Sequence, residues 1–104
     1  MKLLTKEIEK RLPLRQENPS EKIGELVAHV KFFTPWAGWT WFACEYNRDE
    51  RTFFGWVIGL EQEAGYFSLD ELEELQGPFG LKVERDLYFE PTKLKDIPEV
   101  KLIY

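Results

Sequence analysis

Runs of apolar residues in the middle of the chain predict β-strands. Between positions 26 and 60, β-branched and aromatic residues form three runs with the composition of strands. The predicted strands are Leu26–Phe33, Trp39–Tyr46 and Thr52–Leu60, followed by a shorter strand at Gly65–Phe67. The first three are joined by linkers of only five residues, and linkers this short favour antiparallel hairpins over parallel crossovers.

Two short helices are predicted beside these strands. The first begins after Thr5, a capping residue, and continues to about Leu12, with apolar residues at a four-residue spacing. The second begins after Ser68, because Ser68 and Glu71 have the spacing of a capping box. It ends before Gly77, a residue type that commonly follows helices.

The remaining segments complete an α+β fold in one domain. The polar stretch Gln16–Lys22 predicts an exposed loop, and alternation over Val83–Phe89 predicts one more strand. Residues 93–104 are expected to form an extended or weakly ordered tail, with Lys101–Tyr104 either a final edge strand or a frayed end. We therefore expect a single domain over residues 1–104, an antiparallel meander of four or five strands with the two helices packed on it.

The composition narrows the class of protein. With 43% apolar and 15% aromatic residues, the chain has enough apolar material for one core, so wholesale disorder is not expected. A net charge of -5 argues against a general affinity for the nucleic-acid backbone, which requires a basic surface. No apolar run reaches the roughly 18 residues of a membrane span, and the start of the chain lacks the apolar segment of a signal peptide. A cytoplasmic protein without membrane contact is expected.

The single cysteine and the single histidine are the first candidates for chemistry. Cys44 cannot form an internal disulfide, and together with His29 it is too few ligands for a tetrahedral zinc site, so no metal or cofactor is predicted. A hairpin centred between Trp36 and Ala37 would place His29 opposite Cys44, where an imidazole could hold a thiolate for nucleophilic catalysis. The alternative is a small buried cysteine and a half-exposed histidine. No catalytic motif surrounds either residue, so an enzyme is not expected.

Aromatic residues concentrate around one predicted turn. Positions 32–42 hold three of the four tryptophans and three phenylalanines. Because successive strand residues point to opposite faces, Trp39 and Trp41 share one face while Phe42 takes the other. Both sets lie in the core only if both faces are covered. Otherwise aromatic rings, including Trp36, remain exposed to bind a protein, a nucleic-acid base or a planar ligand.

The acidic residues are also concentrated. Residues 61–80 contain no basic side chain and six acidic ones: Glu61, Glu63, Asp70, Glu71, Glu73 and Glu74. Such a surface would favour docking on a basic partner. The alternative is a solvated helix face, with Asp70 and Glu71 favoured near the positive start of the helix.

Several short motifs together resemble one protein family. They are Met1–Thr5 with Arg11–Pro13, Val30–Trp36 with Trp39–Trp41, Phe53–Gly55, Gly65–Leu69 with Glu71–Leu72, Gly77–Pro78 with Gly80–Leu81, and Glu84–Asp86. This set, which extends to about Thr92, is similar to a family of small domains of unknown function carried by bacterial plasmids, conjugative elements and phages. The resemblance implies a role in mobile-element biology, such as counter-defence or plasmid maintenance, and brings no established activity or catalytic residue.

Three functions follow as hypotheses. The first is a small acidic protein-binding module of a mobile genetic element, such as an inhibitor of a host defence protein, that uses the six acids and Trp36, Trp39 and Trp41. The second is a nucleic-acid or planar-ligand binder at the aromatic turn, with phosphate contacts from Lys2, Lys6, Lys10, Arg11, Arg15 and Lys31. The third is an enzyme that uses Cys44 and His29.

Overall fold

A computed structural model of the chain describes residues 1–14 and 22–102. Apart from Lys22, the predicted loop Gln16–Lys22 lies outside these ranges, and so do the last two residues of the Lys101–Tyr104 prediction. Lys101 and Leu102 are described and belong to no strand. Within the described ranges, no helix is both long and apolar enough to cross a membrane.

The two α-helices begin at the predicted caps. The first, α1, spans Lys6–Arg11, and the second, α2, spans Leu69–Glu74. The hydroxyl oxygens of Thr5 and Ser68 each accept a hydrogen bond from the amide three residues later, at 3.2 and 3.3 Å. Both caps are confirmed. They could be predicted because a cap satisfies a free amide of the first turn with a side chain only three residues away.

Among the described residues, five strands form one antiparallel sheet and two form a second. They are β1 (Val27–Ala28), β2 (Val30–Phe33), β3 (Thr40–Asn47), β4 (Thr52–Ile58), β5 (Gln62–Ser68), β6 (Glu84–Arg85) and β7 (Thr92–Lys93). The strand order in the large sheet is β5-β4-β3-β2-β6, and β1 pairs with β7 in the small sheet. The predicted α+β fold, an antiparallel meander with two short helices, is confirmed.

The predicted strand Leu26–Phe33 divides into two strands that join different sheets. His29 lies between the two strands and belongs to neither. Its backbone N–H donates to the Ala43 carbonyl at 2.8 Å. β2, after this residue, pairs with β3 and β6, whereas β1, before it, pairs with β7 near the end of the chain. The partner of β1 is therefore more than 60 residues away, which local sequence pattern does not reveal.

Three other strands differ in length from those predicted. Val83–Phe89 shortens to β6, because the Asp86 carboxylate accepts a hydrogen bond from the amide two residues later and turns the chain. Gly65–Phe67 lengthens to the seven residues of β5, since β4 offers a pairing partner along its whole length. Thr52–Leu60 ends two residues early, at the turn into β5.

Both faces of the large sheet are covered, so it carries two cores. One face packs against α1, α2 and the first residues of the chain, and its buried residues, the helix core, are Leu3, Leu4, Leu12, Val30, Phe32, Trp41, Ala43, Tyr46, Phe53, Phe67, Leu69, Leu72 and Val83. The other face packs against the small sheet and residues 94–100, and its buried residues, the tail core, are Ala28, Phe42, Cys44, Trp56, Leu94, Ile97 and Val100. Because both faces are covered, aromatic residues that point to opposite faces of the sheet are buried in two separate cores.

Candidate functional site

The two ends of the large sheet differ in what covers them. At one end lie the β2–β3 turn, residues 34–39, and the β4–β5 turn, residues 59–61, and we call this the open end. At the other end lie the β3–β4 turn, residues 48–51, and the start of α2, and we call this the closed end because Arg51 pairs there with Asp70. A cleft of about 550 Å³ also lies at the closed end, lined by Glu9, Leu12, Leu14, Tyr46, Asn47, Arg48 and Asp49. α2 runs back from the closed end, so that Leu75 reaches the β2–β3 turn.

Three tryptophans at the open end line an apolar cleft of about 240 Å³, which we call the tryptophan cleft. Its lining residues are Thr34, Trp36, Ala37, Trp39, Trp41 and Leu75. Thr34 fixes the turn, because its backbone N–H donates to the Trp39 carbonyl and its hydroxyl oxygen accepts from the Trp39 amide, both at 2.9 Å. Gly38 completes the turn in the left-handed region, with φ of 74°, which glycine adopts at little cost.

The three tryptophans differ in exposure. Trp41 is 6% exposed and belongs to the helix core, whereas Trp39 is 38% exposed. Their rings stack, with centroids 6.0 Å apart and planes inclined by 29°. Trp36 is partly buried against the helix core. Of the three rings predicted to bind a partner, Trp39 is therefore the one whose surface is most open to contact.

The β4–β5 turn packs against this outer tryptophan. A Cβ at Gly59 would lie 2.3 Å from the Trp39 ring, so a larger residue would push the ring away. The next residue, Leu60, is almost fully exposed. An apolar side chain therefore flanks the cleft without covering it.

The segment after α2 packs against Trp36 and presents Phe79 to solvent. We call residues 76–82 the Phe79 loop. A Cβ at Gly77 would lie 2.3 Å from the Trp36 ring, and the Gly77 amide closes the loop by donating to the Leu81 carbonyl at 2.7 Å. Phe79 is fully exposed and has φ of 58°, in the left-handed region that costs a non-glycine residue about 1–2 kcal/mol. Nothing in the fold requires a phenylalanine there.

The six acidic residues of positions 61–80 fall into two groups: those that pair with Arg51 and those that do not. At the closed end the Arg51 guanidinium pairs with Asp70 at 2.9 Å and with Glu73 at 3.1 Å. The other four acids of the predicted block form no ion pair with any described residue: Glu61, Glu63, Glu71 and Glu74. The six acids are thus not one equivalent surface, because two are already bound within the chain.

Three of the four unpaired acids lie near the tryptophan cleft, although none of them lines it. Glu61 lies in the β4–β5 turn, and Glu74 is the last residue of α2 before the cleft. Glu63 pairs across the sheet with Val57, which in turn pairs with Trp41, so Glu63 lies two strands from Trp41 on the same face. We call these three residues the acidic rim of the cleft.

The basic residues of α1 and Lys31, which belong to the nucleic-acid hypothesis, do not line the tryptophan cleft. Lys31 pairs with Glu99 at 2.9 Å. The basic residues of α1 belong to a helix that an ion pair between Glu9 and Arg48 ties to the closed end. Arg15 lies outside the described ranges, and no described basic residue lines the cleft. The expectation that basic residues would lie beside the aromatic turn is wrong for α1, because the helix runs toward the opposite end of the sheet.

Cys44 and His29 lie on neighbouring segments, but the thiol is buried. The hairpin register is the predicted one, with Val30 opposite Ala43. A register shift between Ala43 and Glu45 makes Cys44 the extra residue of a β-bulge, and its side chain is 1% exposed in the tail core. Burial, with a smaller contribution from the charge of Glu45, raises the pKa of Cys44 to about 12. The thiol is therefore protonated at neutral pH and does not supply a thiolate.

His29 lines a separate, polar cleft of about 290 Å³. Its charged lining residues are Glu7, Arg11, Arg85 and Asp86. Burial, and secondarily the positive charge of Arg11, lowers the pKa of His29, so the neutral imidazole predominates at pH 7. Acidic and basic side chains balance in this cleft, and no described group of three or more His, Cys, Asp or Glu could hold a metal ion. The polar cleft is therefore the weaker candidate.

Sequence reasoning missed three apolar neighbours of the cleft, which are Leu60, Leu75 and Phe79. Leu75 is exposed because α2 ends one residue before it. A signal for Phe79 was present, since it stands between Pro78 and Gly80, and turn-forming residues on both sides place a side chain at a loop tip.

Comparison with known proteins adds a family to this geometry. No curated protein and no solved structure matches the chain. A family model described as "Protein of unknown function (DUF2958)" matches residues 3–96, a range that contains the whole tryptophan cleft and its acidic rim. The resemblance to a small domain of unknown function is confirmed on that point, and the chain belongs to the DUF2958 family.

Proposed function

We propose that the protein is a protein-binding module whose open end docks on a partner with an apolar anchor next to basic residues. One observation carries the proposal: the tryptophan cleft is apolar and open, and its rim carries three acids with no ion pair to any described residue. Protein interfaces commonly combine an apolar centre with a polar rim. The centre supplies affinity, while the rim charges supply orientation and association rate.

The free energies of burial and of association indicate that tight binding needs more than one aromatic contact. Burial of an aromatic anchor of about 150–250 Å² at about 25 cal/mol per Å² contributes about 4–6 kcal/mol. Association costs at least about 4 kcal/mol in lost freedom of motion, so one anchor in the cleft gives only weak binding. The exposed side chains of Leu60 and Phe79 enlarge the apolar surface that a partner would cover.

The partner class that we favour is a host defence protein that the module would inhibit. Support comes from the resemblance to proteins of plasmids, conjugative elements and phages, together with the charge of the acidic rim. Defence proteins that act on nucleic acid need basic surfaces, and an acidic rim around an apolar cleft would attract such a surface.

A second candidate function is binding of a planar ligand. Its support is the exposed face of Trp39, whose ring already stacks on Trp41. The acidic rim would repel phosphate groups, so a neutral or cationic ring system suits this site better than a nucleotide.

The proposal is tested by selecting peptides from a random library displayed on phage against the immobilised protein. We expect the selected peptides to combine an aromatic or leucine anchor with Lys or Arg. Their affinity for the protein should fall about tenfold or more with Trp39→Ala, a loss of about 1.4 kcal/mol, and should fall with added salt. No enrichment, or peptides without an anchor and basic residues, would contradict the proposal.

A charge-reversal pair provides the control. Glu61→Lys with Glu74→Lys should weaken binding of the selected peptides, because both residues belong to the acidic rim: Glu61 lies in the β4–β5 turn and Glu74 precedes Leu75 of the cleft. Asp49→Lys with Glu90→Lys changes the net charge by the same amount at exposed positions outside the open end and should leave binding nearly unchanged. Equal losses in both pairs would mean that overall charge, and not the rim, attracts the peptides.

A further inference from the structure

We infer that the open end also binds a second copy of this chain, in a symmetric dimer in which Phe79 of each protomer enters the tryptophan cleft of the other. The Phe79 loop and the cleft are adjacent, because Gly77 of the loop contacts Trp36 of the cleft. An apolar projection and an apolar recess on one surface are self-complementary, which is what an interface with two-fold symmetry requires. The inference goes beyond the proposed function, since it needs no foreign partner.

The backbone of the Phe79 loop presents Phe79 at the tip of the loop. Pro78 restricts the backbone just before the tip, and Phe79 and Gly80 both have positive φ, of 58° and 76°. The hydrogen bond from the Gly77 amide to the Leu81 carbonyl closes the loop beneath the ring. A side chain presented by a closed loop loses little freedom on binding, which lowers the entropic cost of association.

The tryptophan cleft suits such a ring in chemistry. Its walls are mainly indole rings and apolar side chains, and aromatic rings pack favourably against each other in offset or edge-to-face arrangements. Two insertions, each burying about 150–250 Å² of an aromatic side chain, remain well below the roughly 1,200 Å² of a stable interface. The expected dimer is therefore weak and depends on protein concentration.

The Phe79 loop and the acidic rim also carry opposite charges. Lys82 lies at the base of the Phe79 loop, where it pairs with Gln76 in a β-bridge, and its exposed side chain forms no ion pair with any described residue. Insertion of Phe79 would bring Lys82 toward the acidic rim of the other protomer, near Glu61 and Glu74. This contact offsets the repulsion between two chains that each carry a net charge of -5.

Sedimentation equilibrium of the full chain, from low micromolar to near millimolar protein, tests the inference. We expect the mass to rise from 12.4 kDa toward twice that value and no further. Phe79→Asn should lower the association constant about tenfold or more without lowering Tm, because Asn tolerates positive φ. Tyr88→Asn removes an equally exposed aromatic residue outside the open end and should dimerise like the wild type.

A mixing experiment tests the reciprocal arrangement. Leu75→Glu places a charge in the cleft at an exposed position, so the fold should persist while the recess is blocked. An equimolar mixture of Phe79→Asn and Leu75→Glu restores one of the two insertions and should associate more than either variant alone. A wild type that stays monomeric, a mass that grows beyond the dimer, or a Phe79→Asn variant that dimerises normally would each overturn the inference. A monomeric wild type that still binds the selected peptides would leave the proposed function standing.

Discussion

The two ends of the large sheet differ in the side chains that they leave exposed. At the closed end, Arg51 of the β3–β4 turn pairs with Asp70 and Glu73 of α2, so these three charges are satisfied within the chain. At the open end, Trp39 is partly exposed and Phe79 is fully exposed. Paired charges gain little from a further partner, whereas exposed apolar surface gains by being buried. We therefore place the proposed interaction surface at the open end, where apolar side chains are exposed.

The largest expected effect is a loss of stability when a residue of the helix core, which supports both ends, is truncated. Phe53 is fully buried in the helix core, with ring centroids of Phe32, Tyr46 and Phe67 at 5.4, 4.7 and 5.3 Å. We expect Phe53→Ala to reduce the free energy of unfolding by about 3–5 kcal/mol and Tm by more than about 10 °C. Thermal unfolding followed by circular dichroism measures this. A loss below about 1 kcal/mol would show that Phe53 does not hold the two ends together.

Two adjacent tryptophans sharpen the comparison between core and surface. Trp41→Ala should cost about 3–5 kcal/mol of stability, because the residue is buried. Trp39→Ala should cost less, about two-thirds as much by buried area, because 38% of the residue is already in water. Urea unfolding of both variants compares the same chemical change at the two sites. Equal losses would assign the whole aromatic turn to the core and remove the basis for a docking surface.

The buried thiol predicts a dependence of stability on pH at the alkaline side. Burial raises the folded-state pKa of Cys44 from its ordinary value of 9.0 to about 12. The unfolded chain therefore loses this proton first. The contribution of Cys44 to stability is fully present below pH 9 and declines as the pH rises from 9 toward 12. Urea unfolding at neutral pH and near pH 10 should show a fall in stability that is smaller in Cys44→Ala. The same fall in both proteins would mean that other groups cause it.

The smallest effect is expected at the closed end. Arg51→Ala removes two ion pairs between exposed side chains, which are screened by water and salt, so Tm should change little. Binding of the selected peptides at the open end should be unchanged. A marked loss of peptide binding in this variant would contradict the functional separation of the two ends.

Features set by neighbouring residues were predictable from the sequence. The caps at Thr5 and Ser68 and the register that places Val30 opposite Ala43 all appear as predicted. Each depends on residues close in the sequence, because a cap acts over three positions and a short linker fixes the pairing of the strands that it joins.

Features set by distant residues were not predictable. Asp70 and Glu73 appeared unpaired because their partner, Arg51, lies outside the acidic stretch in sequence. Leu94 and Ile97 of the predicted tail cover the second face of the sheet, which allows Phe42 and Trp41 to be buried on opposite faces. A single sequence shows periodicity but not which distant segment covers a face, so the division between exposed and buried tryptophans required the three-dimensional structure.

The central claim, that the open end binds partners and the closed end does not, is tested most directly by backbone amide chemical shifts. The labelled protein is titrated with a peptide selected for its anchor and basic residues, and every assigned backbone amide is followed. We predict that shifts concentrate at residues 36–41, 59–61 and 74–80, while residues 48–51 and the start of α2 remain unchanged. Largest shifts at the closed end, or in the polar cleft around His29, would contradict the account.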